Sequence, residues 1–198
     1  MIPDIRNALN FRSPKTASQW IIFLAATAIT LSSPYGTRQF NREVKRYIEQ
    51  RYRYSKGKRP LPGSQNISQV LYKLRKKHII RISKKGEKTT ILLTERGKVK
   101  KLEQDLDRLI IPKRSEWDTQ WRLVMFDIPE SQKRLRETFR QKMKALGFHQ
   151  FQKSVWIHPY PCKIEIDFVA DLLGVNKYLT LLTVLIDNDE PLRKKFKL

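Results

Sequence analysis

Apolar positions along the 198 residues keep a helical rhythm in the first half of the chain, broken by one alternating stretch, and mix the two rhythms in the second. The block Trp20 to Leu31 (WIIFLAATAITL) is apolar on every side, which predicts a buried helix, with Ser13-Pro14 as its start and Ser33-Pro34-Tyr35-Gly36 as its stop. In RQFNREVKRYIEQRY, Phe40, Val44, Tyr47 and Ile48 keep helical spacing, Arg51 alone breaks the stripe, and the opposite face is basic. The Gly- and Pro-rich stretch SKGKRPLPG leads into SQNISQVLYKLRKK. There Ile67, Val70, Leu71 and Leu74 form an i, i+3, i+4, i+7 stripe, capped by Gly63-Ser64. Two β-rich runs, Ile79 to Ser83 and Lys88 to Leu93, flank Lys84-Lys85-Gly86-Glu87 and predict a hairpin with a basic tip. From Thr94, the residues Val99, Leu102, Leu106 and Leu109 fall on a narrow heptad-like seam, which predicts a connector helix ending at Pro112 and a possible dimer element.

The second half changes pattern. A strand is expected from Gln120 to Asp127, then a helix from Ser131 to Leu146 with Leu135, Phe139, Met143 and Leu146 in register and Gly147 as its C-cap. FHQFQKSVWIHP reads as two strands meeting near Lys153. Pro161 opens a second helix with Ile164, Phe168 and Leu172 inward, Gly174 ends it, and KYLTLLTVLID closes as a strand. The order βαββαβ predicts a ferredoxin-like sandwich over residues 117–190. Residues 14–112, with helix, helix and hairpin in sequence, predict a winged helix-turn-helix, so the fold class is α+β in two domains.

Charge changes the picture from fold to partner. Lys and Arg number 41 against 19 Asp and Glu, a formal charge of +22. Such an excess repels itself unless a polyanion compensates it, and nucleic acid is the first candidate, a membrane surface the second. Residues 1–112 hold 25 basic and 8 acidic side chains, residues 113–198 hold 16 and 11, so the first domain is the expected polyanion binder. The apolar block at Trp20 is shorter than the roughly 20 residues a bilayer crossing needs. Its length also suits the core of a signal peptide, with Ala26-Thr27-Ala28 resembling a cleavage site. Cys162 is the single cysteine and fits a reducing, cytoplasmic setting, and the three histidines, His78, His149 and His158, show no zinc-ligand spacing.

The helix after Gly63 leaves Gln65, Asn66, Ser68, Gln69, Lys73, Arg75, Lys76 and Lys77 available outside its apolar stripe. Amides reach adenine edges, and cations reach guanine or phosphate. Lys84, Lys85 and Lys88 put further cations at the hairpin tip, where a wing touches backbone or minor groove. Double-stranded DNA is the expected partner, with duplex RNA the competitor, no membrane partner, and no cofactor required for binding. Tyr35, Tyr47, Tyr52, Tyr54 and Tyr72 are interleaved with the cations and could stack on bases, although spacing places Tyr47 in the core.

The motifs FDIPE, LGFHQFQKSVWIHP and the basic helix between them resemble the Cas2-like central domain of PaaX-type transcriptional regulators, itself similar to the small endonuclease of the CRISPR adaptation complex. The residues that carry the resemblance are Trp121, Asp127, Pro129, Gly147, Phe148, Gln152, Ser154, Val155 and Trp156, over about residues 117–190. KLRKKHII followed by LTERGK resembles the PaaX-type winged helix more loosely. The resemblance implies a homodimeric regulator, a repressor, reading two half-sites. Those regulators carry a further C-terminal domain outside these 198 residues, so acyl-CoA sensing is not part of the expectation.

In the CRISPR adaptation nucleases an aspartate at the end of the first strand is the proposed magnesium ligand, paired with its copy across the dimer axis, and Asp127 holds the matching position. The resemblance thus implies an alternative, a magnesium-dependent endonuclease or CRISPR-like accessory with Asp127 as metal-binding and catalytic carboxylate. The local pattern offers a different task. Asp127 and Glu130 stand three apart, the spacing of a capping box, and Pro129 is tolerated in a first helical turn. Ile128 precedes a proline, which pushes the helix start to Glu130 or Ser131 and leaves Asp127 to hold the loop through backbone N–H groups. Ser154 reads as a strand hydroxyl, Trp117, Trp121 and Trp156 as core or dimer contacts, and Cys162 as a small apolar residue at a helix start.

Overall fold

A computed structural model of the protein describes residues 9–28, 30–32, 37–56 and 66–198. The Ser33-to-Gly36 stop, the connection 57–63, the Gly63-Ser64 cap, Gln65 and the side chains of Arg51, Tyr52 and Tyr54 lie outside the described residues. Among those described, the elements run β1 (Asn10–Phe11), α1 (Ala17–Ala26), β2 (Thr30–Ser32), α2 (Thr37–Lys56), α3 (Ile67–Lys76), β3 (Ile80–Lys85), β4 (Lys88–Leu93), α4 (Glu95–Arg108), β5 (Leu109–Ile110), β6 (Trp121–Phe126), α5 (Lys133–Ala145), β7 (His149–Gln152), β8 (Val155–His158), α6 (Lys163–Leu173), β9 (Leu179–Val184) and α7 (Glu190–Phe196). They fall into two compact units, Arg12–Arg108 and a second made of residues 9–11 together with Leu109–Leu198.

In the Arg12–Arg108 unit α1 is the hub. Trp20, Ile21, Ile22, Leu24 and Ala25 are all buried, and the helix packs against α2, α3, α4 and β4. A helix apolar on all sides has no other stable place than the core. Its bounds differ from the expected ones. Thr16 is the N-cap, its hydroxyl accepting the Gln19 N–H at 3.3 Å, because Ser13 precedes a proline and the chain there is extended. The helix stops at Ala26, Ala28 takes φ +48°, and Thr30–Ser32 pairs with β4 instead of continuing the helix. Thr30 is β-branched and suits an extended chain, and the edge of β4 offers hydrogen bonds that another helical turn would not match. The result is a three-stranded antiparallel sheet in the order β2-β4-β3.

Around that hub α2 buries Phe40, Val44 and Ile48, and α3 buries Ile67, Leu71 and Leu74. Each such side chain contributes about 1.5–3 kcal/mol, enough to fix the rotation of a helix whose other faces are charged. Tyr47 packs half-buried against the same core. The helix after the hairpin ends at Arg108, short of Pro112, because Leu109 and Ile110 pair with Phe11 and Asn10. Its seam is only partly covered, with Val99 exposed and Leu102 and Leu106 half-buried.

The second unit carries a four-stranded sheet in the order β7-β8-β6-β9, every neighbouring pair antiparallel. Phe139 of α5 stacks edge-on against Phe126 at 5.1 Å, and α5 lies beside α6. The helical face of α6 is rotated from the expected one. Glu165, Ile166, Val169 and Ala170 are buried, whereas Ile164 is exposed and Phe168 and Leu172 are half-buried, and the helix starts at Lys163 behind an N-cap at Cys162 rather than at Pro161. Trp121 is buried beneath Trp117 and Phe196, and its indole N–H donates to Asp189 at 2.9 Å.

One close approach holds α4 to the hairpin. A Cβ at Gly97 would lie 2.0 Å from the carbonyl oxygen of Ile79 and 3.1 Å from Leu93. Thr94 tightens the same contact, its hydroxyl donating to the His78 and Ile79 carbonyls and accepting the Gly97 N–H at 3.0 Å. Backbone cannot move aside as a flexible side chain can, so Gly97→Ala should lower unfolding free energy by about 3 kcal/mol or more. An unchanged denaturant midpoint for that variant would show that α4 does not seat on Ile79.

Candidate nucleic-acid interface

Burial of Ile67, Leu71 and Leu74 turns the opposite side of α3 to solvent, and Asn66, Ser68, Gln69, Lys73, Arg75, Lys76 and Lys77 are all exposed there. Gln65 lies outside the described residues. Asn66 forms the N-cap without a side-chain hydrogen bond, so its amide is not spent on the helix. Tyr72 projects from the middle of this face with 64% of its surface exposed, unusual for a large aromatic and in contrast to the half-buried Tyr47. Lys73, Arg75 and Lys76 occupy the last turn, where cations also complement the helix dipole.

The hairpin is tighter than its sequence indicates. β3 runs through Lys85 and β4 begins at Lys88, opposite it, so the turn is the two residues Gly86-Glu87, with Gly86 at φ +58°. A two-residue hairpin demands a positive φ at its first position, which glycine supplies without strain. The turn therefore brings Lys84, Lys85 and Lys88 to one exposed tip.

Sequence reasoning missed a third set. Between α2 and α3 lies a groove of about 430 Å³ lined by Arg38, Asn41, Arg42, Lys45, Asn66, Ile67 and Ser68. The Asn41 amide donates to the Ser68 hydroxyl at 2.7 Å across it. The signal was present as a second stripe, since positions 38, 41, 42 and 45 repeat i, i+3, i+4, i+7 on the polar side of α2. Only the packing of α3 against α2 makes that stripe a wall.

Asp127 stands at the tip of β6. Its N–H donates to the Tyr178 carbonyl at 3.0 Å, just ahead of β9, and its side chain is exposed. The capping box does not form. Pro129 takes an extended ψ of 153°, a single 3₁₀ turn covers Glu130–Gln132, and α5 begins at Lys133 behind Gln132. Glu130 pairs with Arg136 instead of reaching back. The alternative loop-holding role fails as well, because no hydrogen bond from a backbone N–H to the Asp127 carboxylate forms among the described residues. Nor do these residues contain three or more His, Cys, Asp or Glu side chains grouped to hold a metal ion, so Asp127 belongs to no such group. Ser154 lies in the exposed turn between β7 and β8 rather than in a strand, its carbonyl accepting the Phe126 N–H.

The strongly perturbed groups of this unit are buried side chains and carboxylates held by hydrogen bonds, apart from Asp127. The Arg122 guanidinium bonds Asp118 and holds its carboxyl down to about 2. Burial pushes His158 down to about 4, with Nδ1 accepting the Tyr160 N–H at 3.1 Å. Burial pushes the Cys162 thiol up to about 12, which makes it unreactive, and raises Glu165. Trp121 and then Arg193 hold the Asp189 carboxyl low through hydrogen bonds. Trp156 is buried and Trp117 half-buried, its N–H donating to the Pro159 carbonyl at 3.0 Å.

Residues 114–194 match the protein family described as PaaX protein central Cas2-like domain. A search of curated proteins finds no match to the chain. Among the described residues no helix is long and apolar enough to cross a membrane.

An exposed carboxylate without hydrogen bonds adds little to stability. Asp127→Ala should therefore shift unfolding free energy by less than about 0.5 kcal/mol, whereas loss of a capping residue costs about 1 kcal/mol. Chemical denaturation of the two proteins side by side distinguishes these outcomes.

Proposed function

We propose that the chain binds double-stranded DNA as a transcriptional regulator, reading sequence through α3 and gripping the backbone through the β3–β4 tip. The observation that carries this reading is the pairing of two separate exposed surfaces. Amides and cations share the outward face of α3, and Lys84, Lys85 and Lys88 gather at the hairpin tip of the same unit. The element order α1-β2-α2-α3-β3-β4 and the sheet order β2-β4-β3 support a winged helix-turn-helix, in which α3 enters the major groove and the hairpin is the wing. The family match over residues 114–194 supports a regulator of the PaaX type.

The second unit is read as a ferredoxin-like, Cas2-like dimerisation domain. Its strand order and antiparallel pairing support that fold. The sheet face away from Phe126 and α5 presents Leu123, Met125 and Leu182, the last two 40% exposed. An uncovered apolar sheet face favours association with a second copy, and two copies would supply two reading helices for a two-part operator.

Charge reversal and amide removal separate backbone grip from base reading. Lys84→Glu with Lys85→Glu should weaken binding to every duplex and reduce the salt slope, while Gln69→Ala should relax preference at one or two base pairs at a cost of about 1–3 kcal/mol there. Selection of bound sequences from a random duplex pool measures both. Uniform loss from both variants would sink the assignment of α3 as the reading helix.

A second reading rests on one observation, the exposed strand-tip carboxylate of Asp127, which makes no hydrogen bond or ion pair among the described residues. Paired across a dimer with its copy, it would hold magnesium for phosphodiester hydrolysis. Under this reading the protein with magnesium or manganese degrades nucleic acid, and Asp127→Asn abolishes cleavage while leaving binding intact. Absence of cleavage by the unaltered protein removes it.

A further inference from the structure

The groove between α2 and α3 has no task in the reading above. It is larger than a bare phosphate requires, since about 430 Å³ falls in the range of roughly 300–1,000 Å³ typical of ligand pockets. Three of its seven lining residues are cations and none is acidic. Arg38 and Arg42 are exposed and carry no carboxylate partner among the described residues. Among the described residues Lys45 has only the distant Glu49, at 3.9 Å. A second charged pair on this helix, Arg46 with Glu43, does not line the groove.

The polar groups of the floor are set to donate. Ser68 accepts the Asn41 amide at 2.7 Å, which leaves its own hydroxyl proton for a ligand. The Asn66 side chain makes no capping bond. Two guanidinium forks, a lysine, a hydroxyl and an amide converge on one open slot, an arrangement that suits a planar or tetrahedral oxyanion with substituents on either side. A phosphate diester with its flanking sugars has that charge and that bulk.

We propose that this groove seats a backbone phosphodiester of duplex DNA, with Arg38 and Arg42 as its charge partners and Ser68 as its hydroxyl donor. The inference rests on the reading of α3 as the DNA-facing helix. Contact at the start of α3 fixes the depth and register of the helix in the major groove, and the Asn41–Ser68 bond ties the phosphate-holding helix to the base-reading one. The groove thus acts as a positioning device and is indifferent to base sequence.

The test compares the full chain with Arg38→Ala/Arg42→Ala on several unrelated duplexes across a salt series. As a control it uses Arg96→Ala/Lys98→Ala, which removes two exposed charges from α4, away from the groove. The expected result is an affinity loss of about tenfold at low salt, equal for all duplexes, and a salt slope lowered by about one to two. The α4 variant should change much less. All four side chains are exposed, so melting temperatures should stay level and confirm folding.

Equal losses from the groove and α4 variants would reduce the effect to net charge and overturn the proposal. Unchanged binding by the groove variant, alongside loss from Lys84→Glu/Lys85→Glu, would overturn the groove assignment and leave the DNA reading standing. No binding of any duplex by the unaltered chain would overturn both. Inorganic phosphate and adenosine monophosphate separate a free anion from a backbone. Saturable thermal stabilisation by either that the groove variant loses, with duplex affinity unchanged, would give the site to a small anion and overturn the backbone assignment.

Discussion

Burial of α1 on every side is the constraint on which the N-terminal unit depends. A helix with Trp20, Ile21, Ile22 and Leu24 pointing in several directions requires cover from several directions, and α2, α3, α4 and β4 supply it. Each covering helix carries only one apolar stripe, so it can meet α1 in a single rotation. Turning α3 by half a revolution would expose Ile67, Leu71 and Leu74 and bury Lys73 and Lys76, at a cost no other contact could offset. The rotation that satisfies the core is therefore the one that presents the cations outward.

The same arrangement limits self-repulsion in a chain of charge +22. Cations stand on exposed faces, where water screens them, and several are paired locally, as Lys98 with Glu95 and Lys100 with Glu103. Asp105 accepts Lys101 in a half-buried pair, and Lys101 and Arg108 both lie over the Phe23 ring at just under 6 Å, which gives two cations of α4 apolar as well as ionic contact. The Arg108 side chain also donates to the Arg12 carbonyl at 2.6 Å, closing the unit at its two ends. Among the described residues Arg38 and Arg42 of the α2–α3 groove and the lysines of the hairpin tip have no comparable carboxylate partner.

The second unit is organised around aromatic residues and a few buried polar groups. Asp189 receives the Trp121 indole and the Arg193 guanidinium, and Arg193 lies over Trp117 at 5.0 Å, so the C-terminal helix closes over the sheet by one carboxylate and three rings. Arg122 joins Asp118 to the Gln120 and Pro159 carbonyls on the neighbouring turn. His158 and Cys162 have perturbed titration because they are buried, which is why they read as structural although their chemistry could have suggested otherwise.

The amino-acid pattern by itself determined the principal elements and the apolar sides of α2 and α3, though not the short β1, β2, β5 and α7. The stripes at Phe40 to Ile48 and Ile67 to Leu74, the basic hairpin and the βαββαβ order were all legible, because periodicity is a local property written in consecutive residues. Element ends and functional groupings were not. The stop of α1 at Ala26 depended on a partner strand some sixty residues away, the failed capping box at Asp127 depended on the extended backbone of Pro129, and the inward face of α6 depended on the elements it packs against, α5 among them. Arg38 and Arg42 were visible as charged residues, yet only the seating of α3 against α2 turned them into one wall of a groove. A sequence specifies faces through spacing along one element, whereas a site is made of two or more elements, and their meeting is decided by the tertiary packing that buries the faces between them.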